Sequence, residues 1–117
     1  AITALTAQNT QGVFGIHDVT DNFIGQQIKL VLDDIGADAF KTGMLHKASV
    51  IKTVAECLLP YIHKTPLVLD PVMFAKGGAP LLAADALDTL KEYLVPIAEI
   101  ITPNIPEAEF LSGIKIT

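Results

Sequence analysis

Leu67-Val68-Leu69-Asp70-Pro71-Val72-Met73-Phe74-Ala75-Lys76-Gly77-Gly78 is the stretch that decides how this chain is read. Three apolar residues run straight into a carboxylate, and Pro71 lacks the N–H that further ladder pairing would need. Gly77 and Gly78 then free the backbone before the next apolar segment. In an open parallel sheet, ligands bind at the carboxyl ends of the strands. A carboxylate there can hold a metal, a metal-bound water or a polar substrate. Three more polar junctions follow apolar runs: Gln8 with Asn9, Lys41 to Leu45, and Thr102 to Glu107. If all these runs are parallel strands, the four junctions gather at one rim.

The composition agrees with a buried sheet. Hydrophobic residues make up 50% of the chain and charged residues only 18%, as expected when helices cover a parallel sheet. The 117 residues suffice for a single α/β domain, 1–117, but are few for a doubly wound enzyme. A net charge of -5 argues against nucleic acid and anionic membrane partners. The single cysteine excludes an internal disulfide and suits a reducing, cytoplasmic location. No apolar run reaches the roughly 18 residues of a membrane span, and no basic, hydrophobic leader is present. Both ends read as cut, because the chain opens inside an apolar segment and stops where another strand could begin. It is therefore expected to be part of a larger domain.

Outward from the central stretch, strands and helices alternate. Residues 1–6 read as a strand, Gln8–Gly12 as a polar turn, and Val13–Ile16 as a second extended piece over the rim. Thr20 or Asp21 can cap a helix whose apolar positions Phe23, Ile24, Ile28, Val31, Leu32 and Ile35 recur at helical spacing. Gly36 is placed to end it in a left-handed conformation. Asp38–Thr42 reads as a strand. Ser49 is the expected cap of a second helix with Val50, Ile51, Val54 and Leu58 inward, ended by Pro60. A third helix uses Ala83, Ala86, Leu87, Leu90 and Leu94, with Pro96 closing it. Ile97–Thr102 reads as a further strand, and Pro106 opens a short helix stopped by Gly113. This alternation predicts a parallel sheet with right-handed crossovers.

Several residues could carry chemistry. Asn104 followed three residues later by Glu107 is close to a capping box, which requires no ligand. The same geometry at a sheet rim also offers free amides and a positive dipole end to a phosphate, and the two readings are compatible. Asp70 must have partners if buried. With Glu107 it could begin an Mg2+ site that retains several waters. Lys76-Gly77-Gly78 could bring a cation and free amides to a phosphate chain, although a solvated lysine beside an ordinary loop has the same sequence. Gln8 can read a heteroaromatic edge bidentately, and Met44 can pack on a flat ring. A turn glutamine and a core methionine are the plainer alternatives. His17, His46 and His63 show no metal-ligand spacing, and Cys57 reads as a core residue rather than a nucleophile.

Ala-Gln-Asn-Thr (7–10), Lys-Thr-Gly-Met-Leu (41–45), Leu-Asp-Pro-Val-Met (69–73), Ala-Lys-Gly-Gly (75–78) and Ile-Thr-Pro-Asn-Ile-Pro-Glu-Ala (101–108) follow one another along nearly the whole chain. The series resembles the bacterial hydroxymethylpyrimidine/phosphomethylpyrimidine kinases of thiamine biosynthesis, members of the ribokinase-like superfamily. The resemblance implies a three-layer α/β/α fold with a mostly parallel open sheet. It also implies ATP-dependent phosphorylation of 4-amino-5-hydroxymethyl-2-methylpyrimidine and its monophosphate, with Mg2+ as cofactor. By matching positions, Gln8 would bind the aminopyrimidine, with Met44 and Val72 lining the ring pocket. Asp70 and Glu107 would serve the metal, and Lys76, Thr102 and Asn104 the nucleotide phosphates. Family likeness further implies a homodimer.

Two parts of that family's pattern do not occur here. The glycine-rich first strand and loop would precede Ala1, and the Gly-Thr-Gly-Cys/Asp segment, with the anion hole and candidate base, would follow Thr117. The resemblance therefore implies that residues 1–117 alone do not catalyse the reaction and hold no catalytic base. Two rival readings stand beside it. One is pyridoxal kinase of the same superfamily, which shares the Asp-Pro-Val-Met and Thr-Pro-Asn segments. The other is a non-catalytic, ligand-binding α/β module.

Overall fold

A computed structural model describes residues 1–117. In chain order the elements are β1 (Ala4–Asn9), β2 (Gly12–Asp18), α1 (Asp21–Asp34), β3 (Phe40–Thr42), α2 (Ala48–Leu58), β4 (Leu67–Leu69), α3 (Ala86–Tyr93), β5 (Ile100–Ile101) and α4 (Ile105–Ser112). Strands β3, β4 and β5 form a parallel sheet with β4 in the centre. The ladder runs one residue past the strands, where Asp70 N donates to Thr42 O (3.1 Å) and Thr102 N to Leu69 O (3.0 Å). Pro71 then ends it, as its missing N–H requires.

Period-two alternation decides which face of the sheet is core. Phe40, Thr42, Leu67 and Leu69 are buried, whereas Lys41 between them is exposed. In the observed register Lys41, Val68 and Ile100 share the opposite face, and Ile100 is 54% exposed there. The buried face meets Val50, Ile51, Val54, Ala55 and Leu58 of α2, Ala86 and Leu90 of α3, and Ile24 of α1 in one cluster. Helix α2 packs against both α1 and α3, so both crossovers of the parallel sheet lie on the same face. Helices α1, α2 and α3 thus lie on one face of the sheet. No helix is long and apolar enough to cross a membrane.

The helix ends follow local chemistry in most places. Thr20 caps α1, its hydroxyl accepting from Phe23 N at 3.3 Å. Gly36 takes φ 69° as Gly36 N donates to Val31 O, a conformation that costs a residue with a Cβ. Thr20→Ala is expected to cost about 1 kcal/mol, read as a lower denaturant midpoint. An unchanged midpoint would show that the 3.3 Å cap bond contributes nothing.

Four expectations need correction. Strand β1 is not a member of the parallel sheet; it pairs antiparallel with β2 as a separate two-stranded hairpin. Ser49 does not cap α2, which starts at Ala48, two residues earlier than such a cap implies, with Lys47 at the cap position. The Ser49 hydroxyl instead donates to Asp21 Oδ1 at 3.3 Å. Helix α3 begins at Ala86 rather than Ala83; residues 83–85 form a turn closed by Ala86 N donating to Ala83 O, with Ala83 N donating to the carbonyl of His46. Strand β5 is only two residues long, since Val95–Ile97 closes as a 3-10 turn with Pro96 inside it.

Candidate functional site

The carboxyl ends of β3, β4 and β5 carry Thr42-Gly43-Met44, Asp70-Pro71-Val72 and Thr102-Pro103-Asn104. The ladder bonds at Asp70 and Thr102 hold these junctions side by side. Asp70 is half-buried, and its nearest cation is Lys41 Nζ at 4.0 Å, with that lysine largely in water. At this distance and exposure the pair holds Asp70 weakly. The Asp70 carboxylate therefore remains available to a ligand at the rim.

Glu107 sits differently. It is only 6% exposed, and both carboxylate oxygens have backbone partners. Asn104 N donates to Oε1 at 3.0 Å and Met73 N to Oε2 at 3.4 Å. In return, Asn104 Oδ1 accepts from Glu107 N at 2.9 Å, which completes the capping box that the Asn-x-x-Glu spacing suggested. The Met73 bond was not legible in that spacing. It ties the loop after Asp70 to the start of α4, so a local cap also clamps the two junctions together.

The expected free amides of α4 are mostly engaged. The capping box takes Asn104 N and Glu107 N, and Pro106 has none, which leaves Ile105 N–H as the unpaired amide of the first turn. Anion-binding capacity here comes from that amide, the helix dipole and the Asn104 side-chain NH2, which makes no bond.

Beyond Met73 the chain turns back on itself. Phe74 bridges Pro80 in antiparallel fashion, Ala75 N donates to Ala79 O, and Gly78 N to Ala75 O. Gly77 and Gly78 supply φ of 101° and 96° for this tight ribbon, and Lys76 stands exposed at its tip without an ion pair. Phe74 rests on Phe110 of α4, with ring centroids 5.8 Å apart.

Of the residues assigned to the aminopyrimidine, Met44 lines a cavity whose walls include neither Gln8 nor Val72. Met44, at the end of β3, lines a largely apolar cavity of about 440 Å³ with Thr3, Gln27, Ile28, Phe40 and Thr42. Thr3 Oγ1 donates to Met44 O at 2.6 Å. Val72 is half-buried in the neighbouring loop and does not line this cavity. Gln8 lies near the turn of the β1–β2 hairpin, beside a register irregularity at Ala7/Gln8. Its amide bonds only Thr6 Oγ1. The hairpin pairing puts Gln8 on a ladder separate from that of the three parallel strands.

The sequence reading missed two features. The Thr42 hydroxyl is buried without a hydrogen-bond partner, and His46 is the one residue other than glycine with positive φ. Neither burial of a hydroxyl nor a backbone angle is visible in residue types. No cluster of three or more His, Cys, Asp or Glu side chains is placed to hold a metal ion. A magnesium ion that takes one or two carboxylates and completes its shell with water and substrate phosphate still fits Asp70. Cys57 is half-buried in α2, and burial, reinforced by the Glu56 charge and opposed by Lys29, pushes its thiol above the usual range. A thiol held protonated is a poor nucleophile.

Comparison with known proteins agrees with this architecture. The phosphomethylpyrimidine kinase family profile matches residues 1–117. The hydroxymethylpyrimidine/phosphomethylpyrimidine kinase of Haemophilus influenzae is 53% identical over 116 residues, covering 99% of this chain and 43% of that protein. The crystal structure of phosphomethylpyrimidine kinase from Clostridium difficile superimposes with a TM-score of 0.87 at 49% identity, over 98% of this chain and 49% of that one. Pyridoxal kinase from Staphylococcus aureus, solved with AMP-PCP, gives a TM-score of 0.82 at 30% identity, over 100% of this chain and 42% of that one. The chain thus spans less than half the length of these proteins, and its architecture is the ribokinase-like α/β fold expected. Matched from Ala1 to Thr117, the chain belongs to the phosphomethylpyrimidine kinase family.

Proposed function

We propose that the protein carrying this chain phosphorylates 4-amino-5-hydroxymethyl-2-methylpyrimidine and its monophosphate, with ATP as the phosphoryl donor and Mg2+ as cofactor. The observation that carries this reading is the rim itself. Asp70 ends the central strand, Asn104 opens the helix after the next strand, and the Glu107 clamp to Met73 holds the two together. Such an arrangement suits phosphoryl transfer, in which catalysis rests on positioning and charge neutralisation. Asp70 would hold the magnesium ion, with Glu107 behind it. The metal supplies neutralisation of charge on the phosphates. The Asn104 NH2, the Ile105 N–H and the Thr102 hydroxyl would face phosphate oxygens, and Lys76 would swing to them from the ribbon tip. Met44 and Val72 would pack the pyrimidine ring, with Gln8 reading its edge from the hairpin.

The test is Asp70→Asn in the intact protein, assayed with hydroxymethylpyrimidine and MgATP. Turnover is expected to fall by about two orders of magnitude or more, the scale set by removing one charge-stabilising group. Thermal stability should change little, because the only ion pair lost is the weak one to Lys41. Undiminished turnover would remove Asp70 from the mechanism, and no turnover in the unaltered protein would favour a non-catalytic binding module.

The likeness to a pyridoxal kinase supports a second reading. Competition between pyridoxal and hydroxymethylpyrimidine separates the two. The pyrimidine is expected to win, since the 53% identical relative carries that activity in its name.

A further inference from the structure

His46 bears an unusual load for a residue just past a strand end. Its backbone is left-handed, at φ 69°, a conformation that a histidine keeps only when its surroundings hold it there. Three bonds do so. Nδ1 lies 3.2 Å from the carbonyl of Leu81; a carbonyl only accepts, so Nδ1 carries the proton. Nε2 lies 3.5 Å from Asp18 Oδ1 at the end of β2, an attractive contact when Nε2 is protonated as well. The His46 carbonyl accepts from Ala83 N at 2.7 Å. Asp18 is gripped from its other oxygen as well, by Lys47 Nζ at 3.1 Å.

These partners belong to the two segments that flank the rim. Asp18 closes the base of the β1–β2 hairpin, whose far end carries Gln8. Leu81 and Leu82 donate to Met73 O, so the stretch His46 grips is the returning arm of the ribbon that presents Lys76. Met73 is itself bonded to Glu107. One imidazole thus joins the hairpin to the ribbon, and through Met73 to the start of α4.

We propose that His46 is a positioning residue that fixes both flanking segments over the rim at once. The hairpin has no ladder bond to the parallel sheet, so side-chain contacts of this kind decide where it stands. The kinetic consequence rests on the kinase reading above, whereas the mechanical one does not.

Amide hydrogen exchange in the intact protein tests the mechanical part. His46→Asn keeps a residue that tolerates the left-handed region but is too short to reach both partners. His46→Gly removes the strain together with the side chain. Both variants are expected to speed exchange about tenfold at Leu81–Ala83 and at the hairpin base, the scale of a lost net hydrogen bond. Asp18→Asn should speed the hairpin base alone.

In turnover assays, His46→Asn should raise the KM for MgATP about three- to tenfold while kcat stays within about twofold, as expected for lost positioning. Acceleration confined to one segment, or spread evenly over the whole chain, would overturn the joint. Unchanged KM alongside the paired acceleration would overturn its kinetic role. Absence of turnover in the unaltered protein would instead count against the kinase reading, and the exchange result would still decide the joint.

Discussion

Glu107→Ala is expected to lower the stability of the protein by about 2–4 kcal/mol, because the buried Met73 amide and the part-buried Asn104 amide lose their acceptor together. Asn104 N and Met73 N both point at this carboxylate, and alanine offers no oxygen to take its place. The capping box is lost with it, which removes part of what starts α4. Denaturant unfolding of the intact protein measures the loss directly. Glu107→Gln separates structure from charge. The amide oxygen can still serve the Asn104 N–H, but its NH2 then faces the Met73 N–H, donor against donor. This variant should therefore lose less stability than Glu107→Ala while still loosening the loop behind Asp70. Equal stability of Glu107→Ala and the unaltered protein would refute the clamp.

The second large effect belongs to the central strand. Leu69 is fully buried at the middle of the sheet, with its carbonyl accepting from Thr102 N and its neighbour Asp70 bonded to Thr42 O. Leu69→Ala removes three buried carbons from a site pinned on both sides by ladder bonds, so collapse around the void is limited. The expected cost is about 3–5 kcal/mol, the range for leucine in a rigid core. Leu69→Met, which conserves volume, should cost less than about 1.5 kcal/mol. A small effect of the alanine change in the same unfolding experiment would mean that the core around β4 can close up, contrary to the rigid ladder described here.

Much of this was visible from residue types because the governing interactions are local. Three apolar residues before Asp70-Pro71 describe a strand and its end within five positions. Thr20 and Gly36 bracket α1 for reasons confined to single turns of backbone. Asn104 and Glu107 form their box across three residues. The run of motifs from Ala7 to Ala108 pointed to the family now matched over the whole chain.

What failed to show in the sequence depends on contacts between distant segments. The pattern of residues 4–9 says strand, but period-two alternation carries no information on which strand it pairs with, and β1 chose its immediate successor β2. Ser49 looks like a cap, yet Asp21 across the α1–α2 interface takes its hydroxyl. Residues 83–85 continue a helical pattern, yet they form a turn before α3, tied to the carbonyl of His46, far away in sequence, through the amide of Ala83.

Residue order alone determined the extended runs that become β3, β4 and β5, their polar ends and the caps of α1 and α4, since each is set by steric and hydrogen-bonding preferences over a few neighbouring residues. Only the tertiary structure decided that Glu107 clamps Met73, that Gln8 stands on a separate hairpin and that His46 ties that hairpin to the glycine ribbon. Those outcomes depend on which groups meet across space and satisfy one another's bonds, and no short window of residues contains that information.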